Sequence, residues 1–345
     1  MKKLQVQRVP KSVPAPASPI SSKLTLAELS LQRGEFIQAR EILKTRIAQG
    51  SDDFRTLNLF AITSANLRKF EEANLSFKNL QEATTTKANR AKATFNLGLS
   101  CFLQDLARTG DLTVAAYQTP GRPSGAMPPL TASPFQPAID IWEQLLKGRP
   151  QHQDIVLTFL SFAYLQAGNL DRSIESLIDA LSIHENFYVM HYVLGRLFLD
   201  LYFLADEGSD YMLNREAMEF FEIETYEVTR QHKERFALQK DTFLDIALQA
   251  FLEGRGINPM CPEILIWLCH TYLLAGIPED AEEILGQIET LAQDSLATLE
   301  ISLRFHELMQ SPPDTIRGLV AKIETLMRKE PDQRAVHVIP PYFLT

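Results

Sequence analysis

The sequence predicts an all-α chain: a solenoid of about six helix–turn–helix repeats, a degenerate C-terminal capping pair, and two insertions. Three observations carry that expectation. Ala27, Ser30, Gly34, Ala39 and Leu43 have counterparts 34 residues on at Ala61, Ser64, Arg68, Ala73 and Phe77. Ser161, Gly168 and Ala180 keep the same spacing, and Gly195 again lies 34 residues after Ser161. Bulky and small residues also alternate in a fixed order, as in Leu157, Leu160, Ser161, Tyr164, Gly168, Ser173, Leu177, Ala180 and in Leu265, Leu268, Cys269, Tyr272, Gly276, Ala281, Leu285, Ile288. A constant period of this length marks a stacked two-helix unit that cannot bury its apolar face alone. Small residues let two helices approach closely, and bulky ones fill the space between neighbouring repeats.

Taken in order, residues 1–22 read as a disordered basic tail, because Pro10, Pro14, Pro16 and Pro19 oppose a helix. The array then spans 23–293. Its first repeat is Leu24–Gln32, with Thr25 as a cap, and Phe36–Ala48. The second is Phe54–Leu67 with Phe70–Glu82. The third is split. Asn89–Asp105, with Thr94, Leu97, Gly98 and Cys101 in register, is a first helix; its partner is Pro137–Lys147, with Ala138, Trp142, Leu145 and Pro150. About 28 residues are inserted between them, counted against the period. This insertion, 105–134, carries Pro120, Pro123, Pro128 and Pro129 and reads as a disordered loop, either a spacer or a docking segment.

The fourth repeat is Ile155–Gln166 with Leu170–Ile183. The fifth opens at Phe187–Leu204, with His191, Leu194, Gly195 and Phe198, and closes at Asp241–Glu253, with Ala247, Phe251 and Gly254. About 40 residues intervene. Over 205–240 the acids Glu216, Glu219, Glu222, Glu224 and Glu227 precede the bases Arg230, Lys233, Arg235 and Lys240. That order complements a helix dipole and predicts a helical projection, as one long helix or as a hairpin. The sixth repeat is Pro262–Leu274 with Pro278–Ala292. Residues 294–331 form two capping helices broken at Ser311-Pro312-Pro313, and 332–345 is an apolar tail that either packs back on the last helices or engages a partner.

The motif at these positions resembles the tetratricopeptide repeat (TPR) family, and the resemblance covers most of residues 24–293. It implies a right-handed solenoid and a protein–protein interaction role as a scaffold or adaptor. It also implies a groove lined by the first helices. Carried over position by position, that partner-binding groove is Asn58, Ile62, Phe95, Leu99, Phe102, Thr158, Phe162, Leu165, Tyr192, Arg196, Leu199, Ile266, His270 and Leu273. Members that clamp a carboxylate use Lys and Asn early in the groove; here Leu24 and Glu28 depart from that pattern, and Lys92 with Asn96 is a weak remnant. Met218, Phe221 and Tyr226 on the second insertion form a secondary binding surface.

A net charge of −9 and unclustered basic residues argue against nucleic acid as the partner. No apolar run has the length needed to span a bilayer, and no signal-peptide core is present, so the expected location is cytoplasmic. Cys101, Cys261 and Cys269 lack framework spacing and read as reduced packing thiols. The seven histidines are scattered, and there is no phosphate loop or nucleophile–base set, so neither catalysis, metal nor cofactor is expected. The expected partner is a protein, through a peptide or an amphipathic helix, with self-association left as an alternative. A second reading is an assembly factor or chaperone-like regulator within a bacterial secretion, pilus or motility machine. The groove is either open or covered by the chain's own inserts or tails.

Overall fold

The computed structural model describes residues 19–109, 133–184, 186–206, 211, 213–223, 239–292, 295–329 and 343–345. Among them there are fifteen helices and no strand: α1 (Pro19–Gln32), α2 (Phe36–Ala48), α3 (Phe54–Asn66), α4 (Phe70–Ala83), α5 (Lys87–Thr109), α6 (Gln136–Lys147), α7 (Gln153–Gln166), α8 (Leu170–Ile183), α9 (Tyr188–Asp206), α10 (Arg215–Phe220), α11 (Lys240–Ile257), α12 (Pro262–Leu274), α13 (Pro278–Ala292), α14 (Leu296–Leu308) and α15 (Pro313–Lys329). Helices pair antiparallel and stack on their neighbours, as α1 on α2, α3 on α4, α5 on α6, α7 on α8, α9 on α11, α12 on α13 and α14 on α15.

The turn inside each unbroken pair has one chemistry. Gly34, Arg68, Gly168, Gly276 and Gln310 all adopt positive φ, between 49° and 76°. In each case the amide of that residue bonds back three residues and the next amide bonds back five: Gly168 N–H to Leu165 O and Asn169 N–H to Tyr164 O, for example. This closure satisfies carbonyls that a helix end leaves orphaned. Gln310 lies 34 residues after Gly276 and carries the same pattern, from Gln310 N–H to Glu307 O and Ser311 N–H to His306 O. The terminal pair is therefore a seventh repeat in geometry, although its side-chain motif is eroded.

In the two split repeats α5 packs on α6 and α9 packs on α11. A Cβ on Gly98 would collide with the Trp142 indole, whose Nε1–H donates to Phe95 O at 3.2 Å. A Cβ on Gly195 would stand 2.5 Å from the Phe251 ring. Ser161 donates to Ser173 O at 2.8 Å, and Cys269 donates to Ala281 O at 3.4 Å, so small residues bridge first and second helices at the same place in repeats four and six.

Three local expectations change. α1 starts at Pro19, inside the stretch expected to be a tail, because a fixed φ near −65° suits a helix's first turn. Thr25 is thus helical and not a cap. In the second insertion, α10 is six residues long, ends in a turn with Glu222 at φ 55°, and packs on α8. Met218 is buried there, and Tyr211 donates to Asp171 at 2.9 Å, so this part lies against the array and does not project. Residues 224–238 and 110–132, with Tyr226 and the proline-rich loop, lie outside the described residues. The tail's last three residues do not pack on the last helices; Phe343–Thr345 contacts the second and third repeats instead.

Candidate functional site

The first helices carry two chemically different surfaces. Over repeats three to six the predicted groove residues Phe95, Leu99, Phe102, Thr158, Phe162, Leu165, Tyr192, Arg196, Leu199, Ile266 and His270 are all buried. Their rings form one contiguous file. Phe95 stands edge-on to Phe159 at 5.3 Å, Phe102 to Phe162 at 5.6 Å, and Phe162 to Tyr192 at 6.0 Å. The Arg196 guanidinium lies 3.9 Å over the Trp267 ring and donates to the Tyr192 hydroxyl at 3.0 Å. Trp267 meets the His270 ring edge-on at 5.4 Å. Such geometry is favoured by the ring quadrupole and by a cation over a π face. These side chains are enclosed among themselves, as core residues are. On the second insertion Met218 is buried and Phe221 is edge-on to Phe198 at 4.9 Å.

Between repeats two and three a pair of asparagines holds a piece of main chain. Asn58 on α3 and Asn96 on α5 are 1% and 0% exposed. Asn96 Oδ1 accepts from the Leu344 amide at 2.8 Å, and its Nδ2 donates to the Leu344 carbonyl at 2.8 Å. Asn58 Nδ2 donates to the same carbonyl at 2.9 Å, and Asn58 Oδ1 accepts the second Asn96 N–H at 3.0 Å. One carboxamide thus pairs with both main-chain groups of one residue, as a neighbouring β-strand would, while the other braces it. The Leu344 amide needs an acceptor, which fixes the orientation of the Asn96 carboxamide and, through it, that of Asn58.

Side chains flank this pair. The Phe343 ring lies 6.2 Å from Phe77 with planes 17° apart. Leu344, 9% exposed, joins the core that begins at Phe95, and Lys92 Nζ donates to the Thr345 main-chain oxygen. A hollow of about 360 Å³ adjoins Leu344, lined among others by Lys87, Lys92, Phe95, Arg149, His152 and Val156. The site sits at a seam in the core. Ala93 and Leu97 of α5 pack with the N-terminal repeats, whereas Phe95, Leu99, Phe102 and Leu106 pack with the later ones. The sequence singled out Asn58 for its register position on the first helix of repeat two. Asn96 and Lys92 read only as a remnant, and the role of Phe343 and Leu344 had no local signal.

The three cysteine thiols are held protonated. Burial pushes the Cys101 thiol up to about 11 and the Cys269 thiol up to about 12, and raises Cys261 further, with Glu263 adding to it. A thiol held protonated is a poor nucleophile and a poor metal ligand. Among the described residues, no group of three metal-ligating side chains comes together, and no helix is long and apolar enough to cross a membrane.

No family model matches the chain, and no curated protein matches it. Among solved structures, a thermophilic TPR protein of Thermus thermophilus is 18% identical and aligns 66% of this chain with 93% of its own at a TM-score of 0.43. A tetratricopeptide repeat protein from Parabacteroides merdae is 12% identical, over 88% of this chain and 98% of that one, at 0.41. A monomeric IFIT1 mutant with Gppp-AAAA is 14% identical, over 92% and 69%, at 0.48. These likenesses are of fold alone. Its repeated turn, 34-residue register and small-to-bulky helix contacts give the chain a helix–turn–helix repeat fold of the kind seen in those TPR structures.

Proposed function

We propose that the chain is a non-catalytic protein-interaction scaffold that holds an extended segment of a partner protein between Asn58 and Asn96. The carrying observation is the double pairing of Asn96 with the Leu344 amide and carbonyl, braced by Asn58. Two buried carboxamides are costly to desolvate unless each finds partners. Their arrangement suits a passing main chain, which any extended peptide supplies. Specificity comes from what flanks that main chain: a flat aromatic contact at Phe77 and an apolar site shared with Phe95 and Val156. An aromatic residue followed by leucine fits both. This mode replaces the apolar, helix-accepting groove as the favoured seat, because the rings at Phe162 and Tyr192 are already in contact with each other.

The test uses the full chain with Leu344→Asp, so that its own tail no longer fills the seat. A fluorescein-labelled peptide of sequence Val-Ile-Pro-Pro-Tyr-Phe-Leu-Thr is titrated and followed by anisotropy. Saturable binding is expected, with at least about tenfold loss when Asn58→Ala and Asn96→Ala are added, since truncating central contacts at an interface costs about 1 kcal/mol or more each. Absence of saturable binding, or binding indifferent to both asparagines, contradicts the reading.

A further inference from the structure

We infer that the segment Phe343–Thr345 is a resident competitor for the partner seat, so that the scaffold is latched in cis and a partner binds by displacing the chain's own tail. This rests on the proposed peptide seat and adds its regulation. The tail uses every group that would recognise a partner: its amide and carbonyl at Leu344 occupy Asn96, the same carbonyl occupies Asn58, its ring covers Phe77, and its last main-chain oxygen takes Lys92. A foreign segment cannot pair with Asn96 while Leu344 does.

The contact is also long in sequence and narrow in area. It joins residues 286 and 248 positions apart, yet the described contact is made by three residues only. Residues 330–342 connect it to α15. Fourteen peptide steps reach at most roughly 45–50 Å, and a short tether of this kind gives an effective concentration in the millimolar range. A latch built this way is strong against weak ligands and yields to tight ones. If the tail and a free peptide had the same intrinsic Kd of about 10 µM, the tether would raise the apparent Kd of the peptide about 100-fold. The displacing partner is therefore a protein segment that offers the same extended aromatic–leucine pair with added contacts, for which the basic side chains Lys87 and Arg149 lie beside Leu344.

The labelled octapeptide is titrated in parallel into the unaltered chain and into the Leu344→Asp and Phe343→Ala chains, with thermal melts to confirm that each is folded. The latch predicts at least about tenfold tighter binding to both tail variants than to the unaltered chain, and loss of that gain with Asn96→Ala. Equal affinity for the unaltered and tail-altered chains overturns the latch while leaving the seat intact. No binding to any chain overturns both. Sedimentation separates cis from trans: the latch requires the unaltered and altered chains to have the same mass at all concentrations. An unaltered chain that dimerises while the Leu344→Asp chain does not would assign the tail to a second copy and overturn the cis arrangement.

Discussion

The first-helix face of repeats four to six and that of repeats two and three begin from the same register positions and end in opposite states. In the later repeats the positions hold Phe162, Tyr192, Arg196 and Trp267, and these side chains pack on one another. In the earlier ones they include Asn58 and Asn96, which complete their hydrogen bonds only by taking up a main chain from elsewhere. Large apolar side chains on successive first helices close on each other and become core. Small carboxamides leave room, and what fills the room must be polar and extended. Binding capacity in this array follows from what the inner positions cannot supply to one another.

The sharpest way to break that contrast is at the helix contacts on which both regions depend. Gly195→Leu places a side chain where the Phe251 ring stands 2.5 Å from the missing Cβ, and should cost about 3 kcal/mol or more through overpacking. The expected result is a melting transition lowered by well over about 5 °C, or no cooperative transition; an unchanged melt would mean α9 and α11 do not pair. Comparable in size, Phe162→Ala and Tyr192→Ala should each cost about 3–5 kcal/mol, as truncation of a buried aromatic ring does. Chemical denaturation measures this directly, and values under about 1 kcal/mol would show the rings to be surface groups open to a partner.

A pH-dependent effect concerns the thiols of half-buried Cys101 and buried Cys269. Their folded pKa values lie above the ordinary value of 9.0, at about 11 for Cys101 and about 12 for Cys269. The folded state therefore keeps a proton that the unfolded chain releases, so this stability is complete below about pH 9 and declines as pH rises from there toward about 12. Each thiol contributes a slope of up to about 1.4 kcal/mol per pH unit. An alkaline series of denaturation curves, repeated with Cys269→Ala, should show the slope shrink in the variant. Smallest of all on stability, Asn58→Ala with Asn96→Ala should shift the melting temperature by only a few degrees, because water replaces the tail once the seat opens. A loss comparable to that of Phe162→Ala would make the asparagines core groups and erase the contrast.

Much of the fold was legible because it repeats. The sixth repeat falls on Pro262–Leu274 and Pro278–Ala292, where the prolines mark helix starts, and the halves of the split repeats find each other through Gly98 with Trp142 and Gly195 with Phe251. The seventh repeat was recognised only weakly, since its turn residue is Gln310 and backbone geometry, not residue type, preserves the period. The helix expected through residue 220 onward breaks at Glu222, where Phe221 turns in toward Phe198, an attraction that helix-dipole ordering of charges cannot foresee. The seat was hardest to read. Recognition of a main chain leaves no demand on the side chains recognised, and the two partners are 248 residues apart.

The most direct measurement is hydrogen exchange at the Leu344 amide in the intact chain, resolved by NMR. That amide donates to Asn96 Oδ1 at 2.8 Å within a buried network, so its exchange is expected to be slowed well below the random-coil rate. In Asn96→Ala the rate should return to the random-coil value, with the protection of Leu160 and Leu268 unchanged. A Leu344 amide that exchanges at the random-coil rate in the unaltered chain would contradict both the occupied seat and the latch.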